Sequence, residues 1–278
     1  MNKEKQAYQS ILNEIEKHRR KYGMENLWFR GEGKLYPTMG STMARTILTH
    51  EGELVSRIRF SYQQKRNIMV YEKWIYEHFV PFIQSEAPDG YVLQPLHDWD
   101  IVYYLQHYGI PTRFLDWSRS IDVALYFAAA GDKDGENAIL WLLNPEKFNE
   151  LTRGEREIKV AKRGAYKQFL NQSVSMSRPE MVAITPESYP PANDRLPRQQ
   201  GTFVFTGLEY TDLRYMVNTL SEEKQWDNEE ILNKIEVPYS SLQLAYAFIK
   251  DRVNEQSLGL RDGDHLKERF GLNAFLHR

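Results

Sequence analysis

One segment, Ile121 to Ala130, is apolar almost all the way round the helix that it is expected to form. Ser120 precedes it as a helix cap, and Gly131 follows it as a stop signal. A helix without a polar face has to be buried on most sides, so the rest of the chain must pack around it. Strand-like segments available for this packing are residues 27–30, 112–117, 138–143, 181–184, 202–205 and 231–237.

Segments with helical periodicity alternate with these strands. The apolar residues between Tyr8 and Ile15 recur at helical spacing, and Gly23 supplies a stop for that helix. Further helices are predicted within residues 54–76, 98–109, 166–170, 242–249 and 266–275. Pro81 is expected to end the first of these helical regions, and residues 186–197 are expected to form a proline-rich loop. Strands mixed with helices, with several strands late in the chain, predict an α+β fold rather than a doubly wound sheet.

Length and charge favour one soluble domain without a general affinity for polyanions. A single hydrophobic core usually stops growing near 250 to 300 residues, so one elaborated domain over residues 1–278 is expected. The 38 acidic and 36 basic side chains leave a formal net charge of −2, which does not support nucleic-acid binding. The basic run at residues 159–167 is best explained as a solvated helix face.

Several classes of site and location are excluded by what the sequence lacks. Without cysteine there is no disulfide, thiolate nucleophile, iron–sulfur cluster or cysteine-based zinc site, and the seven histidines lack ligand spacing, so no metal is expected. Walker, Rossmann and hydrolase-elbow motifs are also missing. Residues 1–20 do not resemble a signal peptide and no apolar run could span a bilayer, which predicts a cytoplasmic protein without membrane contact.

A polar motif directly precedes the apolar helix. Residues 106–118 read Gln-His-Tyr-Gly-Ile-Pro-Thr-Arg-Phe-Leu-Asp-Trp-Ser, and residues 123–128 read Val-Ala-Leu-Tyr-Phe-Ala. Together with Phe29-Arg30-Gly31 and with Arg-Gln-Gln-Gly-Thr-Phe at 198–203, this motif resembles the FRG domain family. The resemblance covers about residues 25–205, and residues 206–278 are then expected to form a strand and helix extension that packs on this core.

The resemblance carries implications for fold and activity. FRG domains look like distant relatives of the ADP-ribosyltransferase core, which implies mixed or antiparallel sheets flanked by helices and NAD as a substrate. Arg30 matches an arginine that faces NAD at the end of an early strand. Residues 116–118 and 124–127 match a Ser-Thr-Ser-like strand and the helix that follows it. Gln199 and Gln200 stand where a glutamate is expected, with Gln200 the closer candidate. An amide can hold the ribose 2′-hydroxyl but cannot stabilise an oxocarbenium-like charge, so transfer chemistry is left open.

The residue types also suggest a nucleotide site on chemical grounds. Arg30 and Arg113 each offer planar bidentate donors to a phosphate or carboxylate, although Arg113 has an alternative role in an ion pair with Asp116. Gly31 permits a ligand to approach the backbone closely. His107 is a candidate acid or base, with capping or core packing as the alternative.

Aromatic residues complete the candidate site. Tyr36, Tyr108 and Trp117 are candidates for stacking on a base or nicotinamide ring, with core packing as the alternative for each. The predicted catalytic residues are Gln200, Gln199, His107 and Asp116, and the predicted nucleotide-binding residues are Arg30, Gly31, Tyr36, Arg113, Trp117 and Ser118.

Three functions follow from these observations. The first is an ADP-ribosyltransferase-like domain that binds NAD or a related nucleotide, as an ADP-ribosyltransferase acting on a macromolecule or as an NAD glycohydrolase. The resemblance implies a toxin or defence effector of a bacterial or phage conflict system. The second is a module that binds a nucleotide or a partner's acidic group without reaction, which the missing glutamate favours. The third, a nucleic-acid-binding accessory protein, is disfavoured by the net charge.

Overall fold

The computed structural model describes residues 2–50, 59–86, 98–131, 136–161, 181–186, 195–258, 270 and 275. The helices are α1 (Lys3–Tyr22), α2 (Thr42–His50), α3 (Tyr62–Glu86), α4 (Asp98–His107), α5 (Ile121–Ala130), α6 (Pro145–Arg153), α7 (Arg195–Arg198), α8 (Leu213–Lys224) and α9 (Tyr239–Ile249). The strands are β1 (Trp28–Glu32), β2 (Phe114–Ser118), β3 (Ala138–Leu143), β4 (Lys159–Ala161), β5 (Val182–Pro186), β6 (Gly201–Phe205) and β7 (Leu232–Val237).

The strands form one seven-stranded sheet in the order β4-β5-β6-β2-β1-β3-β7. In this spatial order, each pair of neighbouring strands between β5 and the edge strand β7 is antiparallel. At the other edge, β4 is parallel to β5. Helices cover this sheet, so the predicted α+β class is confirmed.

Helix α5 is central, as its apolar composition predicts. Ser120 caps it by accepting a hydrogen bond from the Val123 amide, and Gly131 follows its last residue. The helix packs with α1 and α9 on one face of the sheet, where Leu125 and Ala128 meet Leu140 of β3. Helix α1 ends at Gly23, which adopts the left-handed conformation with φ of 62°.

Three further clusters account for much of the remaining core. On the opposite face of the sheet, α6 and α8 cover the indole rings of β1, β2 and β3. Aromatic residues of α4 stack on Phe114 and contact Phe203 at the other end of the α5 face. Helices α2 and α3 pack together with Phe270. Within the described residues, no helix has the length and apolar character that crossing a bilayer requires.

The prediction that Pro81 ends a helical region is wrong, because α3 continues through it to Glu86. A proline removes its own N–H donor and one helical hydrogen bond. Phe79 and Phe82, on either side of Pro81, both contact Phe270, so tertiary packing holds the helix across this position.

Two other predictions fall partly outside the described residues. The basic run begins in β4, so its first residues form a strand and not a helix face. Several predicted segments lie outside the described part of the chain: the rest of that run, the helix near Tyr166, residues 187–194, and residues 266–275 except Phe270 and Phe275. At the end of the predicted loop, residues 195–198 form the short helix α7.

Candidate functional site

Strands β1 and β2 diverge at the centre of the sheet. Their ladder pairs Phe29 with Ser118, whereas β1 runs beside β3 along its whole length. A side chain bridges the gap, since Nη1 of Arg30 donates to the backbone carbonyl of Asp116 at 2.9 Å. Both strands line a pocket of about 440 Å³, a volume typical of small-molecule sites.

Most of the predicted site residues meet at this pocket. Arg30, Gly31, Tyr36, Asp116, Trp117, Ser118 and Gln199 line it. Helix α5 contributes Ala124 and Phe127 to the pocket wall. Two residues outside the sequence motifs, Glu32 and Arg45, complete the charged lining of the pocket.

Gly31 is explained by helix packing. A Cβ atom on this residue would lie 1.7 Å from the carbonyl oxygen of Ala124 in α5, which no real contact permits. The glycine therefore allows β1 to lie directly against the α5 backbone, and this close approach shapes the pocket wall.

Glu32 neutralises Arg30. The Glu32 side chain is 6% exposed, and its Oε1 accepts from Nε of Arg30 at 2.9 Å. Its Oε2 accepts from Nε1 of Trp141, also at 2.9 Å. Because both carboxylate oxygens have donors and the charge is paired, Arg30 and Glu32 together contribute little net charge to the pocket.

Arg45 differs from Arg30 because no described carboxylate lies within ion-pair distance of it. Its guanidinium donates to the Gly40 carbonyl at 3.0 Å and to Oγ1 of Thr42 at 3.4 Å, which leaves other N–H groups for a ligand. Burial lowers the pKa of Arg45 and the charge of Arg30 lowers it further, while Asp116 and Glu32 oppose this shift. An arginine keeps its charge at neutral pH, so the pocket contains a cation without an acidic partner among the described residues.

Asp116 is the exposed residue of an otherwise buried strand. Its Oδ1 and Oδ2 accept from Nε2 of Gln106 at 2.9 and 2.8 Å. Oε1 of Gln106 accepts in turn from the hydroxyl of Thr112, and that hydroxyl accepts from the amide of Phe114 at 3.1 Å. This chain of bonds explains why polar residues of the 106–118 motif occur next to the core.

Ser118 and Gln199 connect β2 with the segment that precedes β6. Oγ of Ser118 donates to the Gln199 carbonyl at 2.7 Å and accepts from the Ser120 amide at 2.9 Å. Nε2 of Gln199 donates to the Leu258 carbonyl at 3.2 Å. Gln200 is exposed, has φ of 47° and is not among the lining residues, so Gln199 is the glutamine at the pocket.

Arg113 does not reach the pocket, and it does not pair with Asp116. It is 3% exposed, and its Nε donates to Oε1 of Glu72 at 2.7 Å. Its guanidinium lies 4.4 Å from the ring centre of Phe205. Helix α3 supplies the partner from 41 residues away in sequence, which spacing within the motif cannot reveal.

The aromatic candidates divide between pocket and core. Trp117 is 3% exposed and belongs to the core cluster with Trp28 and Trp141. Tyr108 packs against the cluster around α3. Tyr36 is half-buried at the pocket, on a loop that Arg214 holds through the carbonyls of Tyr36 and Pro37.

His107 is the last residue of α4, and its side chain lies outside what the structure describes. Among the described residues, no group of His, Asp or Glu side chains is arranged to hold a metal ion.

Residues 25–137 match the family model of the FRG domain. The match begins before β1 and ends just before β3, so it contains β1, β2 and α5 but not the Gln199 segment. No curated protein and no solved structure gave a significant match to the chain. The resemblance to the FRG domain is therefore confirmed over residues 25–137, a shorter region than the 25–205 that the motifs suggested.

Proposed function

We propose that this FRG domain binds a nucleotide in the pocket between β1 and β2, with NAD as the first candidate. Arg45 carries the proposal, because it lines the pocket with unused N–H donors and without a described acidic partner. Removing such a cation from water is costly unless an anion completes its contacts. A guanidinium is well suited to a phosphate, which it can bind through two parallel hydrogen bonds.

The remaining charges of the pocket support a ligand with more than one functional group. Arg30 and Glu32 pair with each other, which leaves Arg45 and Asp116 as the lining charges that have no opposite charge within ion-pair distance among the described residues. A nucleotide can offer a phosphate to Arg45 and hydroxyl donors to Asp116, whereas an inorganic anion satisfies only the first. Tyr36 and Phe127 also line the pocket and provide aromatic surface for a base.

A calorimetric titration with NAD tests this binding. Arg45→Gln should weaken NAD binding by about 10- to 100-fold, since a hydrogen bond to a charged group is worth about 1.5 to 3 kcal/mol. Arg59→Gln is the matched control, because Arg59 pairs with Glu209 and does not line the pocket. Equal affinity of wild type and a folded Arg45→Gln variant would contradict the role of Arg45. Failure of NAD and ADP to bind wild type would overturn the proposal.

The finer proposal is that the domain acts on NAD as an ADP-ribosyltransferase or NAD glycohydrolase, in a cytoplasmic effector of a bacterial or phage conflict system. It is supported by the family resemblance and by Arg30, which lines the pocket from the middle of β1 and not from the strand end that the sequence predicts. The second candidate is a nucleotide-binding module that performs no reaction. Gln199 favours this candidate, because a neutral amide lines the pocket where a catalytic carboxylate is expected.

Nicotinamide release from NAD distinguishes the two candidates. If the domain is a weak transferase, Gln199→Glu should raise release by about 100-fold, since one well-placed group is worth about 3 kcal/mol to a developing charge. The neighbouring change Gln200→Glu is the control, because Gln200 does not line the pocket. A binding module should give background release in every variant. Strong wild-type release that Gln199→Ala leaves unchanged would assign the chemistry to another group.

A further inference from the structure

We infer that Asp116 recognises a ribose, by accepting hydrogen bonds from its hydroxyl groups, so that the pocket selects ribonucleotides. This inference rests on the proposed nucleotide binding and adds a selectivity to it. It is motivated by one juxtaposition: the exposed carboxylate of Asp116 lies in the pocket and is held by neutral polar groups rather than by a cation. These groups are the side chains of Gln106 and Thr112, which we call the buttress.

The buttress fixes where the carboxylate points. The hydroxyl of Thr112 accepts from a backbone amide, so its own hydrogen is free to be donated to Oε1 of Gln106. The Gln106 amide nitrogen must then face Asp116, and it donates to both carboxylate oxygens. An exposed carboxylate that needed only hydration would have no need of this arrangement.

The buttress also leaves capacity for a ligand. An ionised carboxylate has about four lone-pair sites, and one shared amide group occupies only part of them. Among the described residues, no lysine or arginine side chain lies within ion-pair distance of the Asp116 carboxylate, so no cation occupies its acceptor sites. In dinucleotide sites of other folds a carboxylate is the usual acceptor for a ribose 2′-hydroxyl.

The two opposite charges of the pocket, Arg45 and Asp116, then contact different parts of one ligand. Arg45 binds the phosphate and Asp116 binds an adjacent ribose, with the paired Arg30 and Glu32 beside them. A ribose that lacks a hydroxyl leaves one acceptor of Asp116 without its donor, which costs affinity.

Three ligands test this inference on the full chain by calorimetry: NAD, NAD without the 2′-hydroxyl of the adenosine ribose, and NAD without that of the nicotinamide ribose. One of the two deoxy analogues should bind wild type about tenfold more weakly than NAD, as expected for one hydrogen bond to a charged group. Asp116→Asn should reduce this ratio towards one. Asp251→Asn, which removes an exposed carboxylate outside the pocket, should leave it unchanged.

Gln106→Met tests the buttress itself, because it leaves the Asp116 charge in place and removes the group that orients it. We expect Gln106→Met to lower the ratio while thermal unfolding shows a folded chain. A role confined to joining α4 and β2 would change stability and leave the ratio intact, which would overturn the positioning role of Gln106.

The outcomes separate the inference from the proposed function. Equal binding of all three ligands by wild type would overturn the inference and leave nucleotide binding standing. An unchanged ratio in Asp116→Asn would assign ribose recognition to another residue and also overturn it. Failure of NAD itself to bind would overturn the proposed function together with the inference.

Discussion

Replacing Arg113 with methionine should destabilise the fold and leave the pocket intact. The Arg113 and Glu72 side chains are 3% and 13% exposed and are joined by a bond of 2.7 Å. Methionine retains an apolar stem but leaves Glu72 as a largely buried carboxylate without this partner. Removing one member of a buried ion pair costs about 3–5 kcal/mol, and loss of the contact with Phe205 acts in the same direction.

A double-mutant cycle isolates the pair. Glu72→Leu alone leaves the arginine unpaired and should also destabilise the fold, whereas the double variant has no uncompensated charge. Because apolar replacement of a whole buried pair is often close to neutral, the double variant should be more stable than either single variant. Urea unfolding with linear extrapolation gives the four free energies, and the coupling should exceed about 1 kcal/mol.

Ligand affinity decides whether Arg113 is a structural residue. The folded Arg113→Met variant should bind NAD within about twofold of wild type, since Arg113 does not line the pocket. Stability close to that of wild type, or a loss of NAD affinity as large as that of Arg45→Gln, would refute the assignment of Arg113 to the core.

Two further predictions concern the packing around α5. Gly31→Ala should lower the free energy of unfolding by about 1–3 kcal/mol, because the added Cβ would overlap the Ala124 carbonyl. Gly23→Ala should lower the free energy of unfolding less in the same urea experiment, since that position has open space and only its positive φ opposes a side chain. Equal losses of stability in the two variants would contradict the packing argument. Burial and a hydrogen bond to Asp122 raise the pKa of Tyr8 from 10.0 to about 12. The neutral phenol therefore contributes stability that is fully present below pH 10 and is lost as the pH rises towards 12. Unfolding measured from pH 9 to 12 should show a smaller loss for Tyr8→Phe than for wild type, and parallel profiles would contradict this.

Local signals in the sequence were sufficient for most of the helices and strands around the pocket. Ser120 and Gly131 bound α5, and Gly23 ends α1, because caps and left-handed glycines act within a few residues. The order of strands could not be predicted in this way. Strand β2 pairs with β6, which places Phe114 opposite Phe205, and no local pattern records a pairing over that distance.

The same limit applies to the site. Motif residues such as Arg30 and Asp116 were found because they share a recognisable pattern, but Arg45 lies on α2, which carries no motif and was not predicted. Glu32 was missed because the predicted strand stopped at Arg30. The strand β1 continues to Glu32, and residues two apart on a strand share a face. The partner of Arg113 was hidden because α3 reaches it only in the folded chain.

The divergence of β1 and β2 has a consequence for where the cooperative folding unit ends. The family match contains these two central strands, yet β1 finds its continuous partner in β3 and β2 finds its own in β6, both beyond residue 137. A fragment cut at the limits of the match would hold two strands that pair with each other at Phe29 and Ser118, with the opposite edges left bare. Bare edges of buried strands favour aggregation, so we expect that fragment to be insoluble and the smallest independently folding piece to extend at least through β6.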